Sequence, residues 1–277
     1  MKRSTQFALT LRKLALLFRR DFAVARSYRA AFAVEIFQAL LASAGFYFLS
    51  RFVESPALER SLPRGTDYFS FALVGIAFFD YLSVALTTFD RSLEEARRNG
   101  TLENLLVTQT SLPVILAGSS LYPFVLMSLR TAIYIGWGAV LFGFPLRGAN
   151  WLGALLVLGA SVLAFSGLGI LSASYLLVFK RGNPVNWAIL GLSSVAGGMM
   201  YPISVLPVWL QRMARLIPIT YSLEGMRAAI LGHASMRELL PPVAGLLLFA
   251  AFLLPVSFVI FSWALRRTKV TGTLAHF

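Results

Sequence analysis

Glu35, Asp80 and Arg130 stand inside long apolar stretches, poor surroundings for a charge unless it is paired or has work to do. An ionisable side chain at membrane depth costs at least roughly 2.5–3.5 kcal/mol, so each is a functional suspect by default. Two carboxylates so placed suit a proton relay, whereas an acid and an arginine suit a structural ion pair. Depth bears on the choice. Asp80 lies about 12 Å inside the Tyr68–Thr88 stretch, and Arg130 up to about 25 Å beyond Pro113, at the rise of an α-helix. They meet only if the helix carrying Arg130 begins well outside the bilayer. Glu35, about 9 Å from Arg29, is close enough to an interface to reach water.

Most other chemistry is excluded by residue type. His233 and His276 are the only histidines, too few for a histidine-rich metal site. The absence of Cys removes thiolate chemistry, disulfides and Cys-based zinc sites. No G-x-x-x-x-G-K-[ST] occurs, and no Lys follows Gly100-Thr101, so no P-loop can cradle a nucleotide. Neither H-E-x-x-H nor G-x-S-x-G occurs. Glu54, Glu59 and Asp67 form the only acidic cluster of the kind a membrane-embedded transferase needs, and they lie among Arg60 and Arg64 like a solvated loop. The expectation is a chain with no catalytic residue, no metal and no cofactor of its own. Driven work would then draw on a partner or an ion gradient.

The elements that must position these residues are membrane helices. Of 277 residues, 57% are hydrophobic and only 13% charged, about half the charge a soluble surface carries. Runs of about 20 apolar residues suffice to cross a bilayer. Six are predicted: Ala30–Ser50, Tyr68–Thr88, Pro113–Phe142, Trp151–Phe179, Trp187–Tyr201 and Val243–Leu265. The third and fourth are long enough to tilt or to continue beyond the bilayer. The fifth is short and runs into Tyr201-Pro202 and Leu206-Pro207, a pattern of broken or re-entrant helix. With both termini cytoplasmic, inner loops hold sixteen Lys and Arg against eight outside, which obeys the positive-inside rule. The net charge of +13 therefore points to anionic lipid, with no nucleic acid as partner.

Residues 1–29 carry Phe7, Leu11, Leu14, Ala15, Phe18, Phe22 and Ala25 at helical spacing, with Arg12, Lys13, Arg19, Arg20 and Arg26 elsewhere on the wheel. That is a basic amphipathic helix suited to lying along the cytoplasmic interface, and no cleavage site follows it. Residues 30–265 form the membrane domain and 266–277 a cytoplasmic tail. Among the aromatics, Phe46, Tyr47, Phe48, Phe78, Phe79 and Tyr81 are candidates to line a lipophilic pathway, against the commoner role of packing or facing lipid. Gly167, Gly169 and Ala173 offer a small face for close helix contact.

Two loops carry more information. In the inner loop 89–112, Glu94 pairs with Arg97 and Arg98 at i,i+3 and i,i+4 on a charged helix, and Asn99-Gly100 suits its stop. Thr101 can cap a second short helix with Glu103 in its first turn, presenting Leu102, Leu105 and Leu106 as an apolar ridge. Such an element fits a groove on another protein, or merely turns the chain. In the outer loop 201–241, Pro202, Pro207 and Pro218 break an apolar stretch that continues through Tyr221, Glu224 and Arg227. Arg212, Arg215 and Arg227 there suit either anionic headgroups or anchoring of the loop.

Glu94/Glu95 followed by Gly100-Thr101-Leu102-Glu103-x-Leu105-Leu106 resembles the coupling-helix motif of ABC-2 type exporter permeases. The resemblance extends over nearly the whole chain, with Gln109 standing where the family often has Pro. It implies an all-α membrane protein with six spans, a cytoplasmic coupling helix and short re-entrant outer helices acting as a gate. It implies a multi-pass subunit of the bacterial plasma (inner) membrane that binds no cofactor itself. ATP and Mg would sit on two cytoplasmic P-loop ATPase subunits, and a second permease, copy or paralogue, would complete the pathway. The polysaccharide-exporting branch carries a Leu-Gly…Trp…Pro pattern where this chain has Ser27-Tyr28-Arg29-Ala30-Ala31-Phe32, which favours a lipophilic drug-like or lipid/glycolipid substrate. The alternative is a proton-coupled secondary transporter using Glu35 and Asp80, whose transport would survive ATP depletion.

Replacing Leu102, Leu105 and Leu106 together by Ser should release a bound ATPase while leaving membrane insertion intact. Each buried Leu contributes roughly 1.5–3 kcal/mol, so affinity should fall by orders of magnitude. Pull-down of the ATPase by the triple variant checks this, and unchanged recovery would refute the docking role.

Overall fold

In a computed structural model, the structure describes residues 2–27, 29–53, 61–62, 66–98, 112–179 and 182–270. All regular structure in them is helical: α1 (Lys2–Ser27), α2 (Arg29–Val53), α3 (Tyr68–Arg98), α4 (Leu112–Phe142), α5 (Trp151–Phe179), α6 (Pro184–Ala196), a 3-10 turn (Ile203–Val205), α7 (Val208–Ala214), α8 (Pro218–Ile230) and α9 (Leu240–Val270). Among the described residues, five stretches are long and apolar enough to cross a membrane: Val34–Val53, Tyr68–Glu95, Val114–Phe142, Trp151–Phe179 and Leu240–Thr268. Leu240–Thr268 outruns the expected Val243–Leu265 at both ends. The 31-residue α3 and α4 are each about 46 Å long and outreach a hydrocarbon core of about 30 Å.

The fifth apolar stretch differs from expectation. Its helix runs over Pro184–Ala196, earlier and shorter than Trp187–Tyr201, because local chemistry sets both ends. Asn183 caps the start, its side chain accepting from the Asn186 N–H at 3.2 Å, and Pro184 occupies the first turn, where its missing N–H costs nothing. Gly197 and Gly198 stop it, Gly198 at φ 77°, a left-handed conformation that favours glycine. At 13 residues α6 is about 20 Å long, too short to span alone.

The helices alternate in direction. The end of α2 meets the start of α3 and the end of α4 through Tyr47, Phe69 and Phe142, with Tyr47 and Phe142 stacked at 4.7 Å. This is the near end of the bundle; α5 starts there too, and the α9 start lies beside it, since Gly153 abuts Leu239. At the far end the Thr268 hydroxyl faces the Leu177 carbonyl at 3.4 Å. Helices α5 and α9 therefore run parallel, and α6 to α8 must carry the chain back from the far end to the near end. The N-terminal α1 lies against α4, with Phe18 and Tyr122 rings 6.0 Å apart and Leu17 against Gly118.

The core sits around α3 and α5. Small residues let these backbones approach: a Cβ on Gly169 would stand 2.1 Å from the Ala85 carbonyl of α3, and one on Gly167 2.7 Å from Leu253 of α9. Ala173 on the same helix is fully buried. Gly169→Ala should force α3 and α5 apart and destabilise by about 1–3 kcal/mol, the range for overpacking. Gly159→Ala, where nothing lies within 4 Å, should be neutral, and thermal unfolding of both variants in detergent checks the contrast.

Candidate functional site

Asp80 lies as far from the Arg98 end of α3 as Arg130 lies from the Leu112 start of α4, so the antiparallel pair brings them level. Arg130 Nη2 approaches Asp80 Oδ2 at 3.7 Å. Tyr134 bridges them, accepting from Arg130 at 3.1 Å and donating to Asp80 at 3.2 Å. Helix α3 runs past its expected end at Thr88 to Arg98, whereas α4 starts at Leu112, one residue before the expected Pro113, so the antiparallel offset of the two helices sets the contact. Glu35 on α2 is half-buried, and no ion pair joins it to Arg130 among the described contacts. A carboxylate held by Arg130 and Tyr134 is a structural partner more than a free proton carrier.

At the near end the prolines divide the chain between α6 and α8 into pieces. Pro202 precedes the 3-10 turn, Pro207 precedes α7, and Pro218 opens α8. Helix α8 lays Tyr221 across Gly245 of α9, its ring 5.8 Å from Phe249. One turn after Glu224, which is exposed, Arg227 points into the bundle and is only 8% exposed. Its guanidinium donates to the carbonyls of Gly198 at 2.7 Å, Met199 at 2.7 Å and Phe71 at 3.0 and 3.2 Å. It also stacks 3.4 Å from the centre of the Phe71 ring. Of the three arginines of this segment, Arg227 is therefore an anchor, whereas Arg212 and Arg215 are exposed. The approach needs Gly75 on α3, where a Cβ would stand 2.0 Å from the Met199 carbonyl. Beside this clamp lies a cavity of about 570 Å³, lined by Thr66, Phe71, Ile203, Thr220, Glu224 and Arg227 among others.

A third cluster, at the far end, escaped the sequence reading. Asp90 is buried, and its carboxylate accepts from Asn183 Nδ2 at 2.7 Å, Asn186 Nδ2 at 2.9 Å and the Ser172 hydroxyl at 3.3 Å. The donors come from α5 and from the cap and first turn of α6. Asn183-Pro184 as a helix start was the available signal; nothing local tied it to Asp90.

The model of the family described as ABC-2 type transporter matches residues 6–231. The chain belongs to the ABC-2 type transporter family. Among relatives, the inner membrane transport permease YadH of Escherichia coli (strain K12) is 26% identical over 172 residues, 61% of this chain and 65% of that protein. The linearmycin resistance permease protein LnrN of Bacillus subtilis (strain 168) is 26% identical over 186 residues, 63% of this chain and 46% of that protein. Nodulation protein J of Neorhizobium galegae is 25% identical over 184 residues, 61% of this chain and 64% of that protein. The matched stretches thus span between about half and two thirds of these relatives.

As an ABC-2 family member with several helices long and apolar enough to cross a bilayer, the chain is a multi-pass membrane protein. Glu94 and Glu95 are exposed on the last turns of α3, while Gly100, Thr101, Leu102, Glu103, Leu105 and Leu106 lie outside the described residues. The aromatic candidates separate. Phe78 and Tyr81 are buried in the core, the Tyr81 hydroxyl meeting the Phe124 carbonyl at 3.0 Å and the Ser128 hydroxyl. Phe46, Tyr47 and Phe79 are half-buried, and Phe48 is exposed.

Arg227→Leu strands three carbonyls in a buried site, at about 1–3 kcal/mol for each group left unsatisfied. It should lower thermal stability sharply and open the 200–217 stretch to protease. Arg227→Lys, a compact donor without the planar fork, should recover only part of this. Gly75→Ala should behave like Arg227→Leu, because its methyl group displaces the Met199 carbonyl. Limited proteolysis with thermal unfolding checks all three.

Proposed function

We propose that this chain is the permease subunit of an ATP-driven exporter whose ATP is hydrolysed by a separate cytoplasmic subunit. The reading rests on one observation: a member of the ABC-2 type transporter family whose sequence has no P-loop with which to bind nucleotide. In this reading the far end of the bundle is cytoplasmic, with both termini, and the near end is outside. Helices α6 to α8 make the sixth crossing as broken helix, with the outer segment dipping into the membrane as a gate. Helix α1 lies along the cytoplasmic interface. Glu94, Glu95 and the Gly100–Leu106 element meet the ATPase, two copies of which serve a pair of permeases.

The outer segment supports the pairing. Val205, Val208, Trp209 and Leu216 are each more than half exposed on the single chain, an apolar patch that suits burial against lipid or a second permease. For the substrate, a relative named for linearmycin resistance favours a drug-like molecule, within the broader class of lipophilic drugs, lipids and glycolipids. The Asp80–Tyr134–Arg130 arrangement weighs against a proton-driven carrier, because Asp80 is already partnered.

The chain purified alone should hydrolyse no ATP, and a P-loop ATPase should co-purify from native membranes. Nucleotide turnover measured on the isolated chain and identification of its native partners check both halves. Turnover by the chain itself, free of contaminating ATPase, would refute the division of labour.

A further inference from the structure

We propose that Asp90 is a positioning residue that makes α6 follow the far end of α3, so that a push on that end reaches the outer segment. This rests on reading the element after α3 as the ATPase contact.

The geometry carries the idea in three steps. First, Asp90 ties three elements at one point. Its carboxylate binds Asn183 and Asn186 at the start of α6 and Ser172 of α5, while Asn186 Oδ1 accepts from the Ser172 hydroxyl at 2.5 Å and Asn183 caps α6. A buried carboxylate that loses such donors is strongly disfavoured, so these groups stay together when one of them moves. Second, α6 packs on the core by one face, through Ile189, Leu190 and the buried Ser193, and leaves the other face open, with Trp187 82% exposed and Val195 52%. Third, the other end of α6 is fixed to the same helix, since Arg227 binds Gly198, Met199 and the Phe71 carbonyl of α3 around Gly75. The short helix is thus pinned at both ends to one long helix, by Asp90 at the far end and by Arg227 at the near end. Glu94 and Glu95 stand one turn beyond Asp90 on α3. Axial movement or rotation of α3 therefore carries α6 with it, and through Gly197–Gly198 the 3-10 turn and α7. Asp90 touches no substrate in this scheme; it acts through α6.

The test uses the full chain with its co-purified ATPase in native-lipid nanodiscs. Spin labels at Arg91→Cys and Trp187→Cys, both exposed positions of a Cys-free chain, report the α3–α6 separation. Asp90→Ala should turn one narrow distance distribution into a broad one, and Asp90→Asn, which keeps an acceptor oxygen, should restore the narrow one. A narrow distribution in Asp90→Ala overturns the clamp whether or not an ATPase is bound. Should Asp90→Ala fail to insert, Asn186→Ala removes a single donor and is read the same way. Transmission is read separately, by labelling Val205→Cys from outside with an impermeant thiol reagent. The ATP-dependent change in labelling rate should fall about tenfold or more in Asp90→Ala, the scale of losing a buried polar partner, with the ATPase still bound. A full ATP response in that variant overturns the positioning role. No ATP response in the parent carrying Val205→Cys alone overturns the exporter reading instead, and the distance measurement then decides the clamp by itself.

Discussion

A helix that stops inside a packed bundle leaves carbonyls with no water to accept from, and the bundle depends on how that problem is met. The break after Ala196 exposes the Gly198 and Met199 carbonyls, and one guanidinium, Arg227, answers both. Irregular backbone at membrane depth is tolerated only where protein or trapped water satisfies it. Arginine suits the place because its planar fork reaches several acceptors at once and its charge survives burial. The same side chain reaches the Phe71 carbonyl and ring, so the repair of one helix end also fastens α8 to α3. Gly75 is the corresponding concession on α3, a position where a methyl group would abolish the approach.

Helix α3 is therefore the common support. It packs against α2, α4, α5, α6 and α8, and the clusters around Asp80, Asp90 and Arg227 each have a member on it. Asp90 serves the far end, Asp80 the middle and the Phe71 carbonyl the near end. The helix carries Asp80 level with Arg130 of α4, and it continues past Asp90 to the exposed Glu94 and Glu95 on the same rigid rod. The close backbone contact at Gly169 then couples α3 to α5. Small residues here do what a hydrophobic driving force cannot do between helices already surrounded by lipid.

Much of this was legible in the sequence because the signals are local. Apolar runs of sufficient length fixed the five long helices, since hydropathy is summed over neighbours in the chain. Pro202, Pro207 and Pro218 marked where the outer segment breaks, because proline acts on its own backbone and that of the residue before it. Gly167, Gly169 and Ala173 marked a close-packing face for a similarly local reason, the lack of side-chain bulk. The family followed from motif and topology together.

Only the tertiary structure decided which polar groups meet. Asp80 and Arg130 pair because of the axial offset between two helices, a quantity that no periodicity within either helix encodes. Arg212, Arg215 and Arg227 look alike as residues of one basic outer segment, yet one is buried among carbonyls and two are exposed, because the helical phase and docking of α8 turn Arg227 inward. Asp90 read as the first charge of a loop; the bundle made it a buried acceptor for Ser172, Asn183 and Asn186, residues from two other helices. The start of α6 was misplaced for the same reason, since hydropathy begins at Trp187 while the cap that begins the helix, Asn183, is polar and is held by Asp90. Sequence determines what each stretch can bury; the relative placement of the stretches determines which buried polar groups find partners.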